Sequence, residues 1–404
     1  MRLTHSRASV HPADLAGFSA PIALIPSVEE ILRSAAARLK EAGISSARLD
    51  ADLLLAAAMR TDRLGLVRNR DTPPPRAAVA RFRLLLQRRL RREPLAQILG
   101  VREFWGRAFR VTRDVLVPRP ETELLVEKAL EWINIRRSGV ESRRQGALRV
   151  LDLGTGSGAI GITLATEAPG IHVICSDVSP AALRVAQANA RRLRVEWKRA
   201  DEHGRTRTDT NPSGLAASSV RFVRSDLFDR VPGPFDLIVS NPPYIAETER
   251  EGLMPEVRDF EPAAALFAGP DGLDFIRRML AEAPDRLAPG GAILFEIGYD
   301  QCERVLNLLD RDSRWEAPEA FRDGAGYSRV IRARTACAAP RQGPYSRPCG
   351  ARRRSLSAPR REATTPSGRC ARFPVPTLPA GAGPRLRPGD LLAERHRRPR
   401  RPDA

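Results

Sequence analysis

The chain has 404 residues, 42% of them hydrophobic and 28% charged, and its formal net charge is +19. This length allows two or three domains with at least one large core, and no apolar run approaches the roughly eighteen residues that a membrane helix needs, so a soluble globular protein is predicted. Residues 336–404 carry +12 of the charge, from 16 Arg against 4 acidic residues, so the rest of the chain is only mildly basic.

The N-terminus lacks the charged, apolar and small-residue order of a secretory signal, and residues 1–25 are predicted to be a disordered extension. The five cysteines show no CxxC or His-paired spacing, so the sequence predicts neither a zinc site nor a disulfide framework. The expected location is therefore a reducing cytoplasm, and no metal is expected.

Residues 26–93 are predicted to form a small helical domain. Its first helix begins with a capping box, in which Ser27 and Glu30 satisfy each other's end of the helix. Further helices are predicted over Leu49–Met59 and Arg76–Arg92. The last has an Arg-rich outer side, which could bind an acidic partner, but a solvated helix face is the favoured interpretation.

Residues 94–119 are predicted to link this domain to a larger one. The alternation after Ile98 predicts a β-hairpin with Gly106 at its turn. The proline-containing stretch VPRPETE follows, and a helix over Glu121–Trp132 is expected near the start of a domain that spans residues 120–335.

Residues 148–178 have the pattern of a βαβ unit with a glycine-rich turn after its first strand. Glycines allow a sharp reversal and let a ligand approach the free N–H groups of the helix N-terminus. Asp177 ends the second strand, where a carboxylate can accept hydrogen bonds from both ribose hydroxyls. This unit alone leaves NAD as an alternative cofactor, because it also satisfies the looser dinucleotide fingerprint. The turn consists of Gly154, Thr155, Gly156, Ser157 and Gly158.

A third strand is predicted over Val220–Arg224, followed by Asp226 and Leu227 in the sequence SDLF. The segment before it, residues 197–219, is polar and rich in Gly, Ser, Thr and Asn. That composition predicts an inserted surface loop.

The stretch FDLIVSNPPYI, which ends at Ile245, reads as a buried strand followed by a rigid loop. Pro242 and Pro243 remove two backbone donors and keep the loop extended. The Asn241 side-chain oxygen, the Pro242 carbonyl and the Tyr244 ring can surround a planar group that bears an NH2, because its two protons need two acceptors and its flat face needs a stacking partner.

The remaining elements complete a sheet. A helix is predicted over Phe275–Ala288, a buried strand over Ala292–Ile297 and an antiparallel edge strand over Gly326–Ala333. The acidic, irregular segment Glu256–Pro262 is expected to contact the substrate rather than the core.

Residues 336–404 contain 12 Pro and 16 Arg and show almost no apolar periodicity. Such a segment cannot bury enough surface to offset chain entropy, so it is predicted to be disordered. It could tether nucleic acid or the ribosome, or it could be translation of a GC-rich reading frame past a lost stop codon.

The order of VPRPETE, DLGTGSG, NPPY and EVRDFEP closely resembles the release-factor glutamine methyltransferases of the HemK type, a family of class I methyltransferases that use S-adenosylmethionine (SAM). The resemblance runs from about Ser27 to Ala333. It implies an α/β fold in which a helical domain and a hairpin linker precede a Rossmann-like, seven-stranded methyltransferase domain. It also implies methylation of the glutamine side-chain nitrogen in class 1 peptide chain release factors.

The same resemblance implies the roles of individual residues. Asp226 would accept from the adenine amino group of SAM while Leu227 flanks the ring, and Asn241 would border both cofactor and substrate. The implied cofactor site is Gly154, Thr155, Gly156, Ser157, Gly158, Asp177, Asp226, Leu227 and Asn241. The implied substrate site is Asn241, Pro242, Pro243 and Tyr244, of which Asn241, Pro242 and Tyr244 are the expected catalytic residues.

Three other functions are compatible with parts of the sequence. A ribosomal-protein glutamine methyltransferase shares NPPY but differs just after it. A nucleic-acid adenine methyltransferase presents the same planar NH2 but needs a target-reading domain with clustered basic and aromatic residues, and the helical domain has few aromatics. A catalytically silent SAM- or NAD-binding module is the third. Nucleic acid is thus not the expected substrate, and no membrane partner is expected.

Overall fold

A computed structural model of the protein describes residues 25–138, 147–199 and 219–335. The predicted extension before residue 25, most of the predicted inserted loop (200–218) and the predicted disordered tail (336–404) lie outside the described residues.

The N-terminal part folds around its own apolar core. The predicted capping box is confirmed, because the Ser27 hydroxyl accepts from the Glu30 N–H and the Glu30 carboxylate accepts from the Ser27 N–H. Leu39, Leu54 and Leu55 are fully buried in this core. The helices are α1 (Val28–Glu41), α2 (Ala47–Met59), α3 (Arg63–Arg68), α4 (Arg76–Leu90) and α5 (Leu95–Leu99).

The interpretation of the α4 arginines as a solvated face is wrong for Arg89, whereas Arg81 and Arg88 remain at least partly exposed but also bond within the protein. Arg89 is only 6% exposed and pairs with Asp50 of α2. Arg88 binds Glu93, and Arg81 donates to the Ala58 carbonyl oxygen. These partners are distant in sequence or lie past the helix end, so the helical pattern of α4 alone does not reveal them.

The predicted hairpin is confirmed as β1 (Val101–Phe104) and β2 (Arg107–Arg110), which pair antiparallel. Trp105 and Gly106 form its two-residue turn, both with positive φ (51° and 66°), as a type I′ turn requires.

The larger domain is built on one sheet with strand order β5-β6-β4-β3-β7-β8-β10-β9 among the described residues. Strands β5, β6, β4, β3, β7 and β8 run parallel, whereas β10 is antiparallel to both β8 and β9. The strands are β3 (Arg149–Leu153), β4 (His172–Asp177), β5 (Trp197–Arg199), β6 (Ser219–Arg224), β7 (Phe235–Ser240), β8 (Leu287–Glu296), β9 (Trp315–Arg322) and β10 (Ser328–Thr335).

The predicted fold class is confirmed, and two details differ. The helix predicted over Phe275–Ala288 ends at Glu282, and β8 begins at Leu287 rather than at Ala292. Strands β6 to β10 with β3 and β4 are the seven of a Rossmann-like methyltransferase sheet. Trp197–Arg199, predicted as the start of the inserted loop, instead forms the short outer strand β5, where the Trp197 ring lies edge-on to Phe222 with centroids 5.7 Å apart.

Helices cover both faces of the sheet, with one apolar core on each side. The helices of this domain are α6 (Thr122–Ser138), α7 (Ala159–Glu167), α8 (Pro180–Arg192), the short α9 (Pro255–Arg258), which does not pack on the sheet, α10 (Asp274–Glu282) and α11 (Cys302–Asp310). None of the helices in the described ranges is long and apolar enough to cross a membrane. The strand order reverses between β3 and β7, and ligands of open α/β sheets bind outside the carboxyl ends of strands at such a point.

Candidate active site

A cleft of about 240 Å³ opens at the carboxyl ends of β3, β4, β6 and β7. It brings together most of the residues that the sequence singled out, although they come from four separate segments. Of the predicted residues, Gly158 and Tyr244 are the two that do not line it. The predicted residues that line it are Gly154, Thr155, Gly156, Ser157, Asp177, Asp226, Leu227, Asn241, Pro242 and Pro243.

The glycine-rich turn needs its glycines for two different reasons. Gly154 and Gly156 have φ of 73° and 54°, which side chains rarely adopt, and the space that a Cβ would occupy there is open. At Gly158, φ is 81° and a Cβ would come within 2.6 Å of the Ile162 Cδ1 atom. Gly158 therefore allows helix α7 to start in close packing rather than forming a wall of the cleft.

Asp177 fastens the same turn from the end of β4. Its Oδ2 atom accepts from the Gly156 N–H at 2.9 Å, and its Oδ1 atom accepts from the Ser179 N–H at 2.8 Å. Burial raises the pKa of Asp177, while these two bonds oppose that rise. A carboxylate has acceptor capacity beyond two bonds, so Asp177 can still accept hydroxyl groups from the cleft.

Asp152 of β3 supports the turn, although no role was predicted for it from the sequence. It is fully buried near the end of β3 and accepts from the Thr155 hydroxyl at 2.5 Å and the Gly161 N–H at 2.9 Å. Burial raises its pKa to about 6. An acid inside the apolar strand RVLDL was the signal available in the sequence.

Asp226 and Leu227 stand beyond the end of β6. The Leu227 side chain is buried, and the ring of Phe275 also lines the cleft. The Asp226 side chain is half-exposed, and its Oδ2 atom lies 3.1 Å from the Arg278 guanidinium. This end of the cleft thus combines apolar walls with an acceptor.

The loop after β7 holds Asn241 with its amide oriented. The Asn241 Nδ2 atom donates to the Thr122 hydroxyl at 3.0 Å. The Asn241 Oδ1 atom is buried and has no hydrogen-bond partner among the described residues. Gln301 anchors the other end of the loop by donating to the Tyr244 carbonyl oxygen at 2.8 Å. A buried acceptor without a partner is costly unless a ligand supplies the donor.

Tyr244 and Thr122 meet at Glu296, the last residue of β8. The Thr122 hydroxyl donates to Glu296 Oε2 at 2.7 Å, and the Tyr244 hydroxyl donates to Oε1 at 3.3 Å. Burial raises the pKa of Glu296 to about 7, and burial together with the Glu296 carboxylate raises that of Tyr244. Neither Thr122 nor Glu296 was predicted as a site residue, although Thr122 lies in VPRPETE and an acid that closes the apolar run AILFE was a signal.

Two segments named in the sequence analysis meet at the rim of the cleft. Arg119 donates to both carboxylate oxygens of Glu261, at 2.8 and 2.7 Å, and Glu261 is buried. Pro262 lines the cleft itself. In the described part of the chain, no group of three or more His, Cys, Asp or Glu side chains is placed to hold a metal ion.

Comparison with known proteins gives two domain matches and many similar full-length relatives. Residues 30–100 match the PrmC N-terminal domain, and residues 140–212 match the methyltransferase small domain. A release factor glutamine methyltransferase from Cereibacter sphaeroides is 45% identical over 70% of this chain and 89% of its own length. Proteins of the same name from Geobacter sulfurreducens and Bradyrhizobium diazoefficiens are each 39% identical over 76% of this chain and 95% of their own length.

Proposed function

The chain belongs to the release factor glutamine methyltransferase family, and on that premise we propose that it transfers a methyl group from SAM to the side-chain amide nitrogen, N5, of the glutamine in the Gly-Gly-Gln motif of class 1 peptide chain release factors. The observation that carries the proposal is the buried Asn241 Oδ1 atom at the cleft, which needs a donor that an amide NH2 would supply.

The cleft residues fit SAM. Asp177 offers acceptors for ribose hydroxyls, and the open space at Gly154 and Gly156 allows close approach to the backbone. Leu227 and Phe275 supply apolar surfaces for a flat ring. When bound there, SAM would supply an electrophilic methyl group.

The protein's own contribution would be positioning and electrostatics. An amide nitrogen is a poor nucleophile because its lone pair is delocalised into the carbonyl group. Acceptors on its two N–H bonds, the Asn241 Oδ1 atom and the Pro242 carbonyl oxygen, would raise electron density on nitrogen and fix its orientation. The surplus proton becomes acidic only after transfer and can leave to water.

The direct test is incubation of the protein with methyl-labelled SAM and an unmethylated class 1 release factor, a ribosomal protein or unmethylated DNA. We expect label in the release factor alone, located by mass spectrometry on the glutamine of the Gly-Gly-Gln motif. A release factor with that glutamine changed to Ala is the matched control and should stay unlabelled.

Each other outcome identifies one alternative. Label in the ribosomal protein but not in the release factor would indicate a ribosomal-protein glutamine methyltransferase. Label in DNA would indicate an adenine methyltransferase. Calorimetric titration with SAM and NAD completes the test, because binding of either cofactor without any transfer would indicate a silent binding module.

A further inference from the structure

Thr122 and Glu296 lie beside the acceptor loop (residues 241–244), and Thr122 also lines the cleft. The proposed reaction does not yet use either residue. The two residues are 4% and 1% exposed, and they continue a chain of hydrogen bonds that starts at Asn241. The three residues come from α6, β8 and the loop after β7. The tertiary fold therefore brings them together, and no local motif does.

The direction of this hydrogen-bond chain follows from the chemistry of its last member. An ionised carboxylate can only accept hydrogen bonds, so the Thr122 hydroxyl donates its single proton in a hydrogen bond to Glu296. The Thr122 oxygen must then accept from Asn241, and Nδ2 is the only donor that the Asn241 side chain has. Its Oδ1 atom is consequently left to face a ligand.

We propose that Thr122 and Glu296 are positioning residues that fix the amide of Asn241 with its oxygen toward the acceptor nitrogen. Through Asn241 they would select an acceptor that donates hydrogen bonds. This inference rests on the proposed function, because it assigns the Asn241 oxygen to the substrate amide.

Protonation of Glu296 would reverse the direction in which these hydrogen bonds are donated. Glu296 could then donate a hydrogen bond to Thr122. The Thr122 hydroxyl would in turn be free to donate to the Asn241 oxygen, after a rotation of the Asn241 amide that exchanges its oxygen and nitrogen. The Asn241 NH2 group would then face the substrate NH2, and two donors cannot bond to each other. The arrangement therefore makes transfer depend on the ionisation of Glu296.

The groups around Glu296 place this ionisation in the neutral range. Burial raises its pKa to about 7, and the hydrogen bonds from Thr122 and Tyr244 oppose that rise. Arg329 on β10 lowers the pKa, although Arg329 also pairs with Asp323 at 3.1 Å, whereas Glu121 raises it. The competent, ionised form is therefore the one present above about pH 7, and kcat should fall as the pH drops through that value.

The kinetic test compares Thr122→Val, Thr122→Ser and Glu296→Gln at saturating SAM and release factor. Thr122→Val should lower kcat roughly tenfold or more with unchanged SAM affinity, because it misaligns the acceptor, and Thr122→Ser should restore most of that loss. Wild-type kcat should rise with pH with a midpoint near 7, and Glu296→Gln should be slower and lack this rise. Thr166→Val is the control, since the exposed Thr166 hydroxyl donates to Ile162 within α7.

A second readout does not need turnover. The side-chain NH2 of Asn241 can be followed by nitrogen-15 NMR in asparagine-labelled protein and identified by its absence in Asn241→Ala. Its resonance should shift with a midpoint near pH 7 in the wild type and stay constant in Glu296→Gln.

The two readouts separate this inference from the proposed function. If the wild type leaves the release factor unmethylated, the function fails, yet the NMR titration still tests the hydrogen-bond chain. The inference is overturned by a full kcat in Thr122→Val, by an unchanged pH profile in Glu296→Gln, or by an Asn241 resonance that does not respond to pH in the wild type.

Discussion

The Asn241 side chain has one half of its amide bonded to Thr122 and the other half buried without a partner. In the proposed reaction this free oxygen holds the acceptor nitrogen, so Asn241→Ala should lower kcat by more than tenfold. The loss of one such acceptor corresponds to about 2–4 kcal/mol in the transition state. Single-turnover kinetics with release factor would measure it.

The same variant should keep most of its SAM affinity, which calorimetry would show. Asn134→Ala, at an exposed position of α6, is the matched control and should behave as the wild type. An Asn241→Ala enzyme that retains more than about a tenth of kcat would contradict the role assigned to the oxygen.

Asp177 should affect the affinity for SAM rather than the positioning of the glutamine that receives the methyl group. Asp177→Ala would remove the acceptor for ribose hydroxyls and also free the Gly156 N–H that now shapes the turn. Each lost charge-assisted hydrogen bond corresponds to about 1.5–3 kcal/mol, so SAM should bind at least tenfold more weakly in calorimetry. Asp310→Ala, exposed at the end of α11, is the control. Unchanged SAM affinity in Asp177→Ala would remove this residue from the site.

The sequence predicted the site residues that belong to local motifs and missed those that depend on tertiary contacts. Asp177 ends β4 and Asn241 directly follows β7, each within a recognisable pattern. Thr122 and Glu296, by contrast, are 174 residues apart, and their hydrogen bond exists only because α6 starts beside the end of β8. No spacing rule along the chain could have paired them.

The same limit applies to whole elements. The α1 cap, the hairpin and strand β7 were predicted because their signals lie within a few residues. Strand β5 was missed since three residues are too short to show alternation, and it forms by pairing with β6. Arg88 and Arg89 of α4 were predicted to be solvated because their acidic partners, Glu93 and Asp50, lie outside the helix.

The connection between β3 and α7 should make stability depend on pH through Asp152. Its pKa in the folded protein is about 6, above its ordinary value of 3.8. The folded state therefore holds this proton more tightly than the unfolded state, so the contribution of Asp152 to stability is largest at acid pH and declines as pH rises toward 6. Above that pH its contribution should be constant.

Denaturant unfolding of the wild type and Asp152→Asn at several pH values would measure this contribution by difference. The stability of the wild type relative to Asp152→Asn should fall between about pH 4 and 6. A difference that rises with pH over that range would show that the folded state favours the ionised form.

At the scale of the whole molecule, a largely buried ion-pair cluster joins the N-terminal helices to the segment that follows the acceptor loop. Arg89 pairs with Asp50 at 2.7 Å and with Glu256 of α9 at 2.9 Å, and Arg92 also pairs with Glu256 at 2.7 Å. Although desolvation opposes it, these arginines hold the pKa of Glu256 below its ordinary value. The cluster thus fixes the helical domain relative to the rim of the cleft.

Removing Arg89 should strongly destabilise the fold, because Asp50 and Glu256 would each lose an ion-pair partner inside the protein. We expect Arg89→Ala to lower the free energy of unfolding by about 3–5 kcal/mol. The exposed Arg83→Ala on the same helix should change it by less than about 0.5 kcal/mol. Equal stabilities of the two variants in denaturant unfolding would mean that the cluster contributes nothing net.

This fixed geometry bears on how a substrate protein would be recognised. A short flexible Gly-Gly-Gln segment offers too little surface to offset the entropy of ordering it, so efficient methylation needs a second contact away from the glutamine. The helical domain is held at the rim of the cleft and can provide that contact. We therefore expect kcat/KM for intact release factor to exceed that for a short Gly-Gly-Gln peptide by roughly a hundredfold, a difference of about 2.7 kcal/mol that lies mainly in KM.

A competition experiment tests whether the higher kcat/KM of the intact release factor comes from a second contact or only from the conformation of its Gly-Gly-Gln segment. A release factor whose acceptor glutamine is changed to Ala loses only the contacts of the glutamine amide with Asn241 and Pro242, so it should inhibit methylation of the intact substrate. A Gly-Gly-Ala peptide at the same concentration should not inhibit. If neither inhibits, the affinity comes from the glutamine loop alone, and the helical domain then serves to fix the cleft through the Arg89 cluster rather than to bind the substrate.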